Sequence, residues 1–328
     1  MKRLPKVVHL IDDTTAGGVM RVLDFLRTDS VMAQSADHVI RSVERGAIVG
    51  NLGSADVAVS HLAVSWRSLP SIIALRTLYV RTPLVHVEHS YTEAFVAHNV
   101  PSERRFKTLL KLAYSFFDRI VCVSNGQANW MVSNHLVHTD KLSTIQSCVD
   151  LTAFRALPLP SGPARVFGAI GRLDNQKGFD TLIKAFRQCP DTDIQLHIIG
   201  EGAQKSTLQA LALGDNRIIF RGFHSDPVSA LADVDVVLMP SRWEAYGLVA
   251  VEALAAGRRL ICNDVDGLSD HAQHGGVMMN MENIEELSNL IAHEARAGNR
   301  SQKTSVVRTT KTLENRFRES WQFLLRKI

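Results

Sequence analysis

The chain has 328 residues, 45% of them hydrophobic, with 37 Lys+Arg against 33 Asp+Glu. That length suits two domains, and that apolar share fills ordinary buried cores rather than a disordered or fibrous chain. A formal net charge of +4 is too small to announce nucleic acid as a partner, and no nucleic-acid-binding motif is present.

Met1-Lys2-Arg3-Leu4-Pro5-Lys6 leads into a short apolar run, Val7 to Ile11, which Asp12-Asp13 end. The run is too short for a signal peptide or a membrane span, and it reads as the first strand of a cytoplasmic domain. Further strands are expected at 57–59, 84–87 and 120–123, and then at 166–170, 195–199, 218–220, 236–239 and 260–262. Helical patterns fit between them at 19–26, 70–80, 103–117, 126–132, 179–188, 207–213 and 247–256. Alternation of this kind predicts an α/β chain with parallel sheets covered on both faces. Residues 157–163 hold three prolines and a glycine in seven positions, the composition of a linker. Domains are therefore expected at 1–157 and 158–310, with a last helix at 311–328. That helix carries Leu313, Phe317, Trp321 and Leu324 at three- and four-residue spacing, a packing stripe directed back toward the first domain. Division at Pro158 leaves 17 Lys+Arg against 13 Asp+Glu before it and 20 of each after it. The whole cationic excess lies in the first domain, which points to an anionic partner there. Cys122, Cys148, Cys189 and Cys262 have no metal or redox spacing and are expected as buried thiols.

In open α/β sheets ligands collect beyond the carboxyl ends of strands. After strand 166–170 comes Gly171-Arg172-Leu173-Asp174-Asn175-Gln176-Lys177-Gly178, with a helix following. Arg172 offers a planar fork of donors and Lys177 a mobile charge, beside a helix start whose amides suit a pyrophosphate. After strand 236–239 comes Pro240-Ser241-Arg242-Trp243-Glu244-Ala245-Tyr246-Gly247-Leu248, and the helix beginning there carries Glu252. Gly247 has no side chain, so an anion can approach the first amides. Side chains tilt toward a helix N-terminus, which aims Glu252 back at the same mouth. Two carboxylates beside a phosphate cradle suit the hydroxyls of a sugar and a ribose.

The run from Glu244 to Glu252 resembles the Glu-x7-Glu motif of the retaining glycosyltransferases of family 4, and Gly171-Arg172-Leu173 with Lys177-Gly178 resembles that family's phosphate loop. The resemblance covers the second half and extends more weakly into the first. It implies the GT-B fold, two Rossmann-like domains whose parallel sheets face each other across a cleft. It implies that Arg172 and Lys177 hold the donor diphosphate, that Gly247 and Leu248 bind it through backbone amides, that Glu252 holds the ribose, and that Glu244 holds the transferred sugar. Tyr246 stands where the family often has Phe. Gly200-Glu201-Gly202 and Arg221-Gly222-Phe223 also match family positions, the latter near the base. In the first half, Gly17-Gly18 after the first strand is similar to the family's glycine pair near the diphosphate and acceptor. His89, in Glu88-His89-Ser90, stands where the family has a histidine near the transferred sugar. One turn departs: Ser147-Cys148 precedes Val149-Asp150 where the family often has Asn-Gly.

The implied activity is transfer of a sugar from a nucleoside diphosphate donor, UDP expected, to a saccharide or lipid-linked hydroxyl in cell-surface polysaccharide or glycolipid synthesis. Retention fits a front-side displacement in which the leaving diphosphate helps take the acceptor's proton. Asp233-Val234-Asp235 has the spacing of a metal pair but precedes its strand, and Asp12-Asp13 and Asp264-Val265-Asp266 read as turns. No metal or other cofactor is expected. Helix 103–117 sets Phe106, Leu109, Leu110, Ala113, Tyr114 and Phe117 opposite Arg104, Lys107 and Lys111. Such a helix either packs its stripe on the sheet or rests on the anionic inner face of a membrane. Nucleotide-sugar epimerases and hydrolases would need the same contacts, and they differ in needing no acceptor. A dinucleotide-dependent oxidoreductase is disfavoured because the first strand lacks Gly-x-Gly-x-x-Gly. A decayed binding module is disfavoured because Arg172, Lys177, Glu244 and Glu252 are all present.

Overall fold

The computed structural model describes residues 3–14, 17–297 and 303–328, with backbone alone over 303–309. Thr15-Ala16 in the glycine-pair loop and Met1-Lys2 at the start lie outside the described residues. Two compact units make up the chain: Met1–Asp150 with Leu313–Ile328, and Leu151–Thr312.

The first unit is built on β1 (Lys6–Ile11), β2 (Asp37–Ser42), β3 (Val57–Ser60), β4 (Leu84–Glu88), β5 (Arg119–Cys122) and β6 (Leu142–Thr144). They pair in the order β2-β1-β3-β4-β5-β6, parallel at every step. The strand order reverses between β1 and β3, the kind of point where doubly wound sheets bind ligands. β3 and β4 are buried at every residue, because helices cover both faces of a parallel sheet. Helix Gly18–Thr28 turns Val22, Leu23, Phe25 and Leu26 inward. Helix Glu103–Ser115 buries Leu109, Leu110, Ala113 and Tyr114 in one cluster with Ile120 and Cys122 of β5. Its apolar stripe is thus taken by the core, and its outer face is left to Arg104, Arg105 and Lys111.

The C-terminal stretch Leu313–Ile328 packs within this unit. Phe317 stacks on Phe25 with ring centroids 5.6 Å apart, and Trp321 lies edge-on to His9 at 6.0 Å. Arg318 donates to Asp29 at 2.8 Å, while Asp29 also caps helix Ser30–Ala33 through two amides. Burial alone would raise the Asp29 carboxyl, but Arg318 and those amides hold it below the usual range.

The second unit is built on β7 (Val166–Ile170), β8 (Gln195–Ile199), β9 (Ile218–Gly222), β10 (Val236–Met239), β11 (Arg259–Asn263) and β12 (Val277–Met279). Its order is β12-β11-β10-β7-β8-β9, again parallel throughout. Read outward from β7, this is the order of the dinucleotide-binding sheet, with its reversal between β7 and β10. Helix Phe179–Gln188 places Phe179, Leu182, Ile183 and Phe186 inward at three- and four-residue spacing, and each such burial stabilises by roughly 1.5–3 kcal/mol. Asp235, just before β10, accepts the Arg165 and Val166 amides at 2.8 and 2.9 Å. Its carboxylate therefore ties down the amino end of β7, at the sheet edge opposite the ligand loops. The proline-rich segment is fixed to this unit, since Arg258 donates to Pro158 O at 2.9 Å.

Candidate active site

The loops after β7 and β10 are joined at the reversal point of the second sheet. Gly178 closes the turn Asn175–Lys177 at φ 65°, a left-handed conformation that favours glycine. A Cβ on it would lie 2.1 Å from Pro240 O, so the two loops touch through backbone. The Arg242 amide donates to Gln176 O at 2.8 Å, and Gln176 Nε2 donates to Trp243 O at 3.0 Å. Arg242 then grips Asp180 with both carboxylate oxygens within 2.9 Å. Sequence reasoning passed over Arg242 and Asp180, because a cation and an acid 62 positions apart give no local signal.

Within this frame Lys177 Nζ donates to Glu244 Oε2 at 2.5 Å, the two side chains being only 14% and 13% exposed. Ser241 Oγ approaches the same oxygen at 3.4 Å. The Glu244 backbone is pinned from both sides, its amide donating to Asp266 at 3.2 Å and its carbonyl accepting from Gly267 at 3.0 Å. Helix Leu248–Ala255 starts at once from Gly247, whose φ is 87°. A Cβ there would sit 2.8 Å from Leu268 Cδ2, a side-chain tip that can shift, so it is the left-handed backbone that calls for glycine. The first amides of this helix have no partner inside it. Lys177, Glu244 and Gly247 are thereby brought into one place. Arg172 stays outward, its side chain 75% exposed, held by Gln176 at 3.2 Å and Asp174 at 3.5 Å.

The other expected residues of this unit are placed less openly. Glu252, in the second turn of that helix, is buried at 2% exposure. Tyr246 is also buried, its ring centroid 4.6 Å from that of His271. His271 Nε2 lies 2.8 Å from Tyr246 O, which only an N–H at Nε2 can satisfy. Burial lowers His271 to about 4, so it serves as a neutral donor. Gly202 faces the backbone of Leu173, where a Cβ would meet Leu173 O at 2.5 Å. Its lack of a side chain serves loop packing. Phe223, after β9, is 63% exposed.

In the first unit, Gly17 precedes helix Gly18–Thr28 in extended backbone, a conformation open to any residue. His89 follows β4, half-buried, with Nε2 2.8 Å from His61 Nδ1. Burial pushes it down to about 4, against the pull of the Glu88 charge. Glu88 is buried and accepts from the Ser90 and Tyr91 amides and from the Tyr114 hydroxyl. Burial alone would raise this carboxyl, but His86 and those donors hold it below the usual range. It is therefore a buried carboxylate beside His89. Within the second unit, Lys177 and the helix start at Gly247 offer positive charge and amides to an anion, and Glu244 offers a carboxylate to hydroxyls.

Two family models match the chain: "Glycosyl transferases group 1" over residues 164–294 and "Glycosyltransferase Family 4" over residues 45–153. Among curated proteins, a D-inositol 3-phosphate glycosyltransferase of Arthrobacter sp. is 31% identical over 57% of this chain and 50% of its own length. A Campylobacter jejuni N-acetylgalactosaminyltransferase, named for a diphospho-undecaprenol-linked acceptor, is 29% identical over 48% of this chain and 44% of its own. The chain spans about half the length of these relatives. Among solved structures, Anabaena HepE with UDP and glucose superposes at TM-score 0.73, 17% identity and 98% of both chains. The lipopolysaccharide outer core galactosyltransferase WaaB, in its apo form, does so at 0.73 and 15%, over 98% of this chain and 100% of its own. These likenesses establish the fold, GT-B.

Proposed function

The chain belongs to glycosyltransferase family 4, and we propose that it moves a sugar from a UDP-sugar to an acceptor hydroxyl with retention of anomeric configuration. The observation that carries this is the Lys177–Glu244 pair at 2.5 Å, set at the β7–β10 reversal beside the Gly247 helix start. A diphosphate arriving there takes Lys177 and the first helix amides, with Arg172 swinging in from solvent. Glu244 is then released to accept hydrogen bonds from the transferred sugar. Negative charge grows on the leaving phosphate as the glycosidic bond breaks, and donors already fixed there lower the barrier. Glu252 holds the ribose, while Phe223 lies toward the base and Gly202 shapes the loop it belongs to. Tyr246 supports the turn rather than the ligand. On the first unit, Gly17, Gly18 and His89 meet substrate at the carboxyl edge of their sheet.

UDP is favoured because two superposable structures hold it. The Campylobacter relative's name supports a saccharide or lipid-linked acceptor, and with it cell-surface polysaccharide or glycolipid synthesis at the cytoplasmic face of the membrane. Among the described residues no helix is long and apolar enough to cross a membrane. Lys177 and the helix amides supply the positive charge that a metal would bring to the phosphates, so transfer should persist in excess chelator. A panel of UDP-, GDP- and ADP-sugars read by thermal shift identifies the donor. NMR of the product's anomeric proton then reads retention, and an inverted centre refutes it. Sugar release without any acceptor would instead favour a hydrolase or epimerase on the same fold.

A further inference from the structure

A row of four histidines crosses the first sheet. His38 on β2 bonds through Nδ1 to His9 Nε2 at 2.9 Å. His9 on β1 bonds through Nδ1 to His61 Nε2 at 2.9 Å, and His61 Nδ1 meets His89 Nε2 at 2.8 Å. Successive ring centroids are 5.1 to 5.2 Å apart. His38 is level with Val7 on β1 and His61 follows β3, which is in register with β1 from Val7↔Val57 onward. Each step therefore crosses one strand and climbs two residues, and two-residue steps keep all four rings on one face. The row rises from within the sheet to its carboxyl edge at His89.

Four neutral imidazoles carry four N–H groups, and three bonds use three. Only two arrangements fill every bond: all protons on Nδ1, leaving His89 Nδ1–H free, or all on Nε2, leaving His38 Nε2–H free. His38 Nε2 is buried without a hydrogen-bond partner, and an orphaned buried donor is the rarer defect. The buried Glu88 carboxylate lies beside the His89 end and attracts an N–H there, whereas Asp37, at the His38 end, is exposed. His86, the other titratable group facing His61 and His89, is held between Ser60 and Glu88.

We propose that His38, His9 and His61 are positioning residues that lock His89 as the Nδ1–H tautomer, so that it meets substrate as a fixed neutral donor to an oxygen and not as a base. The identity of that oxygen, on a sugar nucleotide, rests on the proposed function; the lock itself does not. Burial lowers all four rings from the ordinary histidine value, which keeps the row neutral at pH 7. Free histidine favours Nε2–H, so four Nδ1–H rings are a state the fold must impose.

Nitrogen NMR of the full chain labelled in histidine tests this. The native protein should show pyrrole-type Nδ1 and pyridine-type Nε2 at all four positions. His61→Phe, which removes the ring bonded to His89 Nε2, should return His89 to the Nε2–H form and lower kcat/KM about fivefold, the worth of one ordinary hydrogen bond. A pyridine-type His89 Nδ1 in the native protein overturns the proposal, and that spectrum needs no variant to fold. An unchanged His89 tautomer in folded His61→Phe overturns it as well. The native pattern in a chain that transfers no sugar would sink the function alone and leave the lock standing.

Discussion

Lys177→Ala removes the cation at the centre of the proposed diphosphate site and separates two consequences. In the free protein it takes away a charge-assisted bond of 2.5 Å between side chains 14% and 13% exposed, leaving Glu244 with Ser241 as its remaining side-chain partner at 3.4 Å. Hydrogen bonds to charged groups contribute about 1.5–3 kcal/mol, so thermal unfolding should begin roughly 4 °C lower or more. Lys177→Ala/Glu244→Ala should recover part of that loss, because the stranded carboxylate goes with its partner. In the reaction, a fixed donor to the growing phosphate charge is lost, which costs about 100-fold in kcat, near 2.7 kcal/mol of barrier. Here the double variant should be no better than the single one. Unfolding scans and initial transfer rates on the four proteins complete the cycle. Turnover of Lys177→Ala near wild type would refute the phosphate role, and strictly additive stabilities would refute the pair.

Three further outcomes follow from the same geometry. Gly178→Ala should destabilise by about 2 kcal/mol or more and weaken donor binding in titration, since its Cβ would meet Pro240 O at 2.1 Å. His9, His38, His61, His89 and His271 are all held below the ordinary histidine value. Below pH about 6.5 the unfolded chain therefore binds protons that the fold refuses, and stability falls by up to about 1.4 kcal/mol per pH unit per histidine. Urea midpoints from pH 8 to pH 5 check the sign, and a midpoint that rises on acidification contradicts it. With its apolar stripe in the core, helix Glu103–Ser115 can attract an anionic membrane only through Arg104, Arg105 and Lys111. Liposome binding should then be weak and lost at raised salt, and reversal of those three charges should abolish it.

The alternation of apolar runs with helical patterns was enough to read two parallel α/β units, and helix Phe179–Gln188 was legible to the residue because its stripe is strict. Strands β2, β6 and β12 were not. Asp37–Ser42 mixes polar and apolar positions on an edge, and Leu142–Thr144 and Val277–Met279 are three-residue edge strands whose residues are all half-buried. Missing β2 also hid His38, and with it the row that ends at His89. At the site, Lys177, Glu244 and Gly247 could be named because strand-loop-helix spacing places them at a carboxyl edge. That Lys177 and Glu244 bond each other, that Asp266 and Arg242 brace the loops, and that Glu252 and Tyr246 are buried depend on contacts between segments distant in sequence. Such contacts leave no periodic trace. The close approach of Gly202 to the backbone of Leu173, where a Cβ would meet Leu173 O at 2.5 Å, leaves no such trace either.

The most direct test is a crystal of the full chain soaked with UDP-glucose. The diphosphate should lie within hydrogen-bond reach of Lys177 Nζ and the amides at Gly247 and Leu248, with Glu244 turned from Lys177 to the sugar. Nucleotide bound elsewhere, with the Lys177–Glu244 bond intact, would contradict the assignment.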